Sequence, residues 1–124
     1  MRKFKLKKIL VMAAAMAMFS AAVFADVACK KLDNGKVEVT FSYSHPSAKN
    51  VLLAGDFTNW QSGAKTMKKE GDTFVFRKVV SEKSVLTYKF IINGNWMTDK
   101  NAPATTDDGF GGKNGVVDVK TLIN

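Results

Sequence analysis

One dipeptide, Asn93-Gly94, constrains this chain more than any other feature. It lies between two strand-like runs, Val85 to Ile92 and Asn95 to Thr98. A two-residue hairpin turn needs positive φ at its central positions, which Asn and Gly accept at the lowest cost. Once the turn is placed, pairing follows by counting outward. Ile92 faces Asn95, Ile91 faces Trp96, Phe90 faces Met97 and Lys89 faces Thr98. Paired residues share a face, and faces alternate along each strand. One face therefore carries Tyr88, Phe90, Ile92 and Met97, and the other carries Lys89, Ile91, Trp96 and Thr98. The first has no charge and is the predicted core face, because lysine is rarely buried. Trp96 is predicted on the outer face beside Lys89.

The rest of the chain has the same character. Val37, Val39, Phe41 and Tyr43 alternate with Glu38, Thr40, Ser42 and Ser44, and His45-Pro46 ends the run. Val51 to Ala54 forms a short apolar strand closed by Gly55-Asp56. Phe74 to Val80 follows the turn residues Glu70-Gly71-Asp72. Asn101 to Gly112 reads as a polar loop, and Val116 to Leu122 as the last strand. No window after residue 25 has helical periodicity. Six or seven short strands in about a hundred residues predict an all-β fold, an antiparallel β-sandwich of immunoglobulin-like type.

The N-terminus is of a different kind. Arg2, Lys3, Lys5, Lys7 and Lys8 form a basic head, and Ile9 to Phe24 is apolar or small except for Ser20. Val23-Phe24-Ala25 places small residues at −3 and −1 of a cleavage site. This is the layout of a secretory signal peptide over residues 1–25, and the apolar run is shorter than the roughly 20 residues of a spanning helix. Export to the periplasm or the exterior follows as the expectation, with one mature domain over residues 26–124 and no membrane span in it. Cleavage changes the charge argument. The whole chain is +8, but the signal segment holds five of the basic residues and none of the acidic ones, leaving +3. That surplus does not argue for nucleic acid. Cys29 is the lone cysteine, so no internal disulfide is possible. Its place just after the signal raises lipid anchoring at Cys29 as the alternative fate.

Catalytic chemistry is not assembled from these residues. His45 is the only histidine and has no second metal-ligating neighbour in sequence. No nucleophile elbow, phosphate loop or metal motif occurs. Asp107 and Asp108 are adjacent in the predicted loop and read as solvated carboxylates. Glycoside hydrolysis needs two carboxyls held across a bond, roughly 5–10 Å apart, which neighbours in one loop rarely achieve. The expectation is a non-enzyme with no metal and no cofactor.

An outward tryptophan beside a lysine has two readings: the indole covers a loop with the lysine stem lying over it, or the pair suits a sugar. The indole offers a flat face for C–H groups, and the lysine donates to hydroxyls around it. Trp60, at the end of Gly55-Asp56-Phe57-Thr58-Asn59-Trp60, follows the second apolar strand in a loop, a place where function concentrates. Phe57 is the better core candidate of that segment. Four blocks then resemble a family: Val51 to Trp60, Met67-Lys68-Lys69, Tyr88 to Trp96, and Gly109 to Val119. They are similar to the glycogen-binding module of AMP-activated protein kinase β subunits, and to the early-set domain of glycogen branching and debranching enzymes. This is carbohydrate-binding module family 48. The resemblance spans about residues 37–121. It implies an early-set β-sandwich that binds α-1,4-glucan between two tryptophans. It places Trp60 and Trp96 as the stacking pair, with Lys89 and Asn114 as hydrogen-bonding residues. Phe110 stands where the family puts a leucine that enters the glucan ring. A protein-interaction or structural module of the cell envelope, with the tryptophans as a partner patch, is the alternative.

Overall fold

Alternation lays down the long strands. In β2 (Lys36–Ser44) Val37, Val39, Phe41 and Tyr43 are buried, while the residues between them reach the surface. The computed structural model describes residues 24–123, so nearly all of the predicted signal segment lies outside the described residues. Phe24 opens β1 (Phe24–Lys31), which pairs with β2 along its whole length, from Phe24↔Ser44 to Lys31↔Val37. The remaining strands are β3 (Val51–Gly55), β4 (Lys65–Thr66), β5 (Lys68–Glu70), β6 (Thr73–Ser81), β7 (Val85–Ile92), β8 (Asn95–Met97), β9 (Ala104–Asp107) and β10 (Lys113–Asp118). Short 3-10 turns occupy Trp60–Gly63 and Val119–Thr121.

Two antiparallel sheets result, as expected for an immunoglobulin-like early-set sandwich. One runs β1-β2-β6-β5; the other runs β4-β3-β7-β10-β9, with β8 added along β7. Their inner faces close on an aromatic group. Tyr88 packs edge-on to Phe41 and Phe90, with ring centroids 5.0 and 5.8 Å away, and Phe90 lies 5.1 Å from Tyr43. Each fully buried side chain of this size contributes about 1.5–3 kcal/mol by leaving water. Tyr88 keeps its polar end satisfied by donating to the buried Asp99 carboxylate at 2.6 Å. Burial and that carboxylate push the Tyr88 hydroxyl far above the usual phenol range, so it stays protonated. Phe57 stacks on Phe41 at 5.7 Å and packs against the core, as expected from the sequence.

Several boundaries differ from the sequence expectation, for physical reasons. β1 carries an alternation of Ala25, Val27 and Cys29 toward the core, in a stretch that the sequence pattern did not assign to a strand. β9 lies inside the predicted loop; all four of its residues are exposed, so it has no apolar period and forms through backbone pairing with β10. The last strand starts at Lys113 and ends at Asp118, and Val119 turns into the core through a 3-10 turn. The hairpin pairs as counted, Ile92↔Asn95, Ile91↔Trp96 and Phe90↔Met97. Met97 is nevertheless 44% exposed rather than in the core. It lines a second cleft, shared with Tyr43, His45 and Asn101. Ile91 is buried although it lies on the outer face, where Leu52 and Trp96 flank it.

Candidate functional site

Three strands set the floor of the site. Trp96 and Ile91 are paired across the hairpin, and Lys89 lies two residues before Ile91 on the same face. On the other stretch of the same β7 edge, β10 pairs Gly115 with Tyr88. A Cβ at Gly115 would come within 2.7 Å of the Tyr88 ring, so glycine is needed there on the inner face. Alternation then turns Asn114 outward, next to Lys89. Asn114 is thus the second residue of a strand, paired with Thr106 of β9, although the sequence pattern starts that strand at Val116.

Trp60 arrives by a different route. The chain leaves β3 at Gly55 and folds tightly before the 3-10 turn. A Cβ at Gly55 would lie 2.4 Å from the Thr87 carbonyl, and one at Gly63 would lie 1.8 Å from the Thr58 carbonyl. The buried Thr58 hydroxyl accepts the Gly55 N–H at 2.9 Å, and lies within donating distance of the carbonyls of Gly55 and Trp60, at 3.0 and 3.1 Å. Asp56 ties the loop to β7: its N–H donates to the Thr87 carbonyl at 3.0 Å, and its Oδ1 accepts the Thr87 N–H at 3.2 Å. Asn59 and Trp60 both hold positive φ, 65° and 54°. Asn tolerates that region; a bulky aromatic there is a true outlier, worth about 1–3 kcal/mol of strain that the loop contacts must hold. Trp60 is half-buried as a result, with its backbone forced and its ring at the cleft.

The fourth wall is the Asp108–Gly112 loop. Gly109 and Gly111 take φ of 83° and 90°, and Phe110 between them is 93% exposed. Asp108 sits beneath it and is not solvated, contrary to the sequence expectation. Its Oδ2 accepts from Lys89 Nζ at 2.5 Å, with the two side chains only 8% and 16% exposed. Its Oδ1 accepts the N–H of Phe110 at 2.7 Å and of Gly112 at 3.0 Å. The Lys89 ammonium first, and these two N–H groups next, hold the carboxyl down at about 2. Asp107 points away to the exposed Lys113, so the adjacent carboxylates do diverge.

A cleft of about 550 Å³ lies between these elements. Trp60, Lys89, Trp96, Phe110 and Asn114 all line it, together with Gln61 and Asp108. The structure therefore brings together the five residues that the sequence reading placed in a sugar site. The two additional residues had unequal signals. Asp108 stands at the head of Asp-Gly-Phe-Gly-Gly, where an aspartate capping its own loop is a recognisable pattern; Gln61 had only its adjacency to Trp60. The cleft offers apolar ring faces with a few donors and acceptors at the edge, a surface for a neutral polyhydroxyl ligand. Among the described residues, no group of three or more His, Cys, Asp or Glu side chains is arranged to hold a metal ion.

Known proteins place the same chain in context. The family model described as the glycogen recognition site of AMP-activated protein kinase matches residues 37–123. The chloroplastic phosphoglucan phosphatase LSF1 of Arabidopsis thaliana is 34% identical over 100 residues, covering 75% of this chain and 17% of that protein. The 1,4-alpha-glucan branching enzyme GlgB of Aquifex aeolicus (strain VF5) is 37% identical over 73 residues, covering 56% of this chain and 12% of the enzyme. The chain thus spans less than a fifth of these curated relatives. Among solved structures, the ferric enterobactin esterase of Salmonella typhimurium superposes with a TM-score of 0.65 at 14% identity, covering 79% of this chain and 35% of that one, a likeness of fold alone. With the match running from β2 to the end of the described residues, the chain belongs to the glycogen-recognition family of AMP-activated protein kinase and is a carbohydrate-binding module.

Proposed function

We propose that this module binds α-1,4-glucan in the cleft described above, by stacking on Trp60 and Trp96, without catalysing a reaction on it. The observation that carries the reading is the convergence of the two tryptophans, Lys89 and Asn114 on one open surface from four separate segments. Lys89 has three donors and gives one to Asp108, which leaves two for sugar hydroxyls. Phe110 adds an exposed ring at the rim. Relatives named for phosphoglucan and 1,4-α-glucan chemistry support the same ligand class. A site of this size should bind with an affinity on the order of micromolar to millimolar.

Export is part of the proposal and rests on residues 1–25. Cleavage after Ala25 would leave Asp26–Lys31 of β1 still paired with β2. Anchoring at Cys29 would instead remove β1 as far as Ala28 and withdraw a side chain that packs against the core, which favours the first outcome. Burial also pushes the Cys29 thiol up. Among the described residues no helix is long and apolar enough to cross a membrane.

Co-sedimentation with glycogen or amylose tests the ligand. Wild type is expected in the pellet, with Trp96→Ala in the supernatant and its melting temperature little changed. Wild type left in the supernatant, or equal pelleting of the variant, would overturn the reading in favour of a protein-binding patch. N-terminal sequencing of exported protein should begin at Asp26.

A further inference from the structure

Asp108 serves two partners with two oxygens. One oxygen takes Lys89 Nζ on β7, and the other takes the backbone N–H groups of Phe110 and Gly112. The loop closes further through the Asp108 N–H, which donates to the Gly112 carbonyl at 3.1 Å. The tip itself touches little. A Cβ at Gly109 or Gly111 would meet no atom within 4 Å, and Phe110 is almost fully exposed. At Gly112 the opposite holds: a Cβ would come within 2.8 Å of Asp108 Oδ2 and crowd the oxygen that Lys89 uses.

We propose that Asp108 is the positioning residue of the cleft, fixing the Phe110 ring and the Lys89 amine relative to each other so that the ligand meets both already in place. The inference rests on the α-glucan reading and deepens it. A loop with three glycines in five residues has a large conformational freedom to lose. Without the carboxylate, the Phe110 and Gly112 N–H groups lose their acceptor, and binding must order the tip each time. Lys89 is affected equally. Its ammonium is mostly shielded from water, and a flexible four-carbon stem without a counter-charge does not keep one geometry. Charge-assisted hydrogen bonds are roughly twice as strong as neutral ones, so a single carboxylate suffices for both tasks.

Two readouts on the full chain test this, one with ligand and one without. In the free protein, amide hydrogen exchange at residues 109–112 is expected to accelerate in Asp108→Ala. In Asp108→Asn it should stay near wild type, because the amide oxygen still accepts from the loop. Unchanged exchange in Asp108→Ala would overturn the proposal. In calorimetric titration with maltoheptaose, Asp108→Ala is expected to weaken binding about tenfold. Asp108→Asn should lose as much as Lys89→Ala. In a Phe110→Ala background the further loss from Asp108→Ala should shrink clearly, the non-additivity of coupled residues. Additive losses, or a fall in melting temperature with affinity intact, would reduce Asp108 to a structural role. Failure of wild type to bind maltoheptaose would instead overturn the α-glucan reading, and the exchange experiment would still decide whether Asp108 orders the loop.

Discussion

Two loops deliver aromatic rings to the same cleft, and they are built on opposite plans. The Gly55–Gly63 segment is wedged into the fold. Its glycines are in near contact with backbone at 2.4 and 1.8 Å from a notional Cβ, and its Thr58 hydroxyl is buried among three backbone groups. The Asp108–Gly112 loop stands free, with open space around Gly109 and Gly111 and one carboxylate at its base. The first is shaped by packing and the second by charge. Packing enforces a strained conformation, as the positive φ of Trp60 shows. Charge can only hold a conformation the glycines already permit. The Trp60 wall of the cleft is therefore preformed, whereas Phe110 at the rim depends on an ion pair.

The sharpest way to break this comparison is to make one substitution in both loops. Gly63→Ala should cost roughly 2–4 kcal/mol and displace Trp60, because the new methyl has only the Thr58 carbonyl to push against. Gly111→Ala should cost only about 1–2 kcal/mol, from its positive φ alone. Urea unfolding measures both, and equal costs would contradict the distinction. Thr58→Val comes next. It keeps the volume but strands the Gly55 N–H in a buried site, for a loss of about 1–3 kcal/mol in the same assay. The smallest effect separates the loops by acid. Asp108 is held at about 2, below its ordinary 3.8, so its stabilisation of the loop is complete above that value. The ionic part of that stabilisation is lost as pH falls from there through about 2, while the protonated carboxyl keeps an acceptor oxygen for the loop. The amide resonances of Phe110 and Gly112 should move over that range. Those of residues 58–63 should move less, since the hydroxyl and glycine contacts that hold them do not titrate.

The legibility of the molecule follows the same division. The β7–β8 pairing came directly from Asn93-Gly94, because a two-residue turn leaves no freedom in register. The core residues of β2 came from period-two alternation. β9 was invisible, since an exposed edge strand has no apolar period to detect. Met97 was assigned to the wrong environment although its register was right. Alternation says which face a residue occupies, but not whether a second sheet extends far enough to cover it. Asp108 was read as solvated for a related reason. Its partner Lys89 lies 19 residues away on another strand, and no local pattern reports such a contact.

The family resemblance, carried by four sequence blocks, put Trp60, Phe110 and Asn114 among the site residues, and hairpin parity alone put Lys89 and Trp96 on one face. By itself, then, the sequence determined the all-β class, the hairpin register and the outward pair Lys89–Trp96, because each depends on neighbours along the chain or on one tight turn. Only the tertiary structure decided that Trp60 bends back over the same sheet in a strained backbone, that Asn114 sits within a strand beside Lys89, and that Asp108 joins the glycine loop to the lysine. Those features depend on contacts between segments distant in sequence, whose geometry exists only once both sheets have packed.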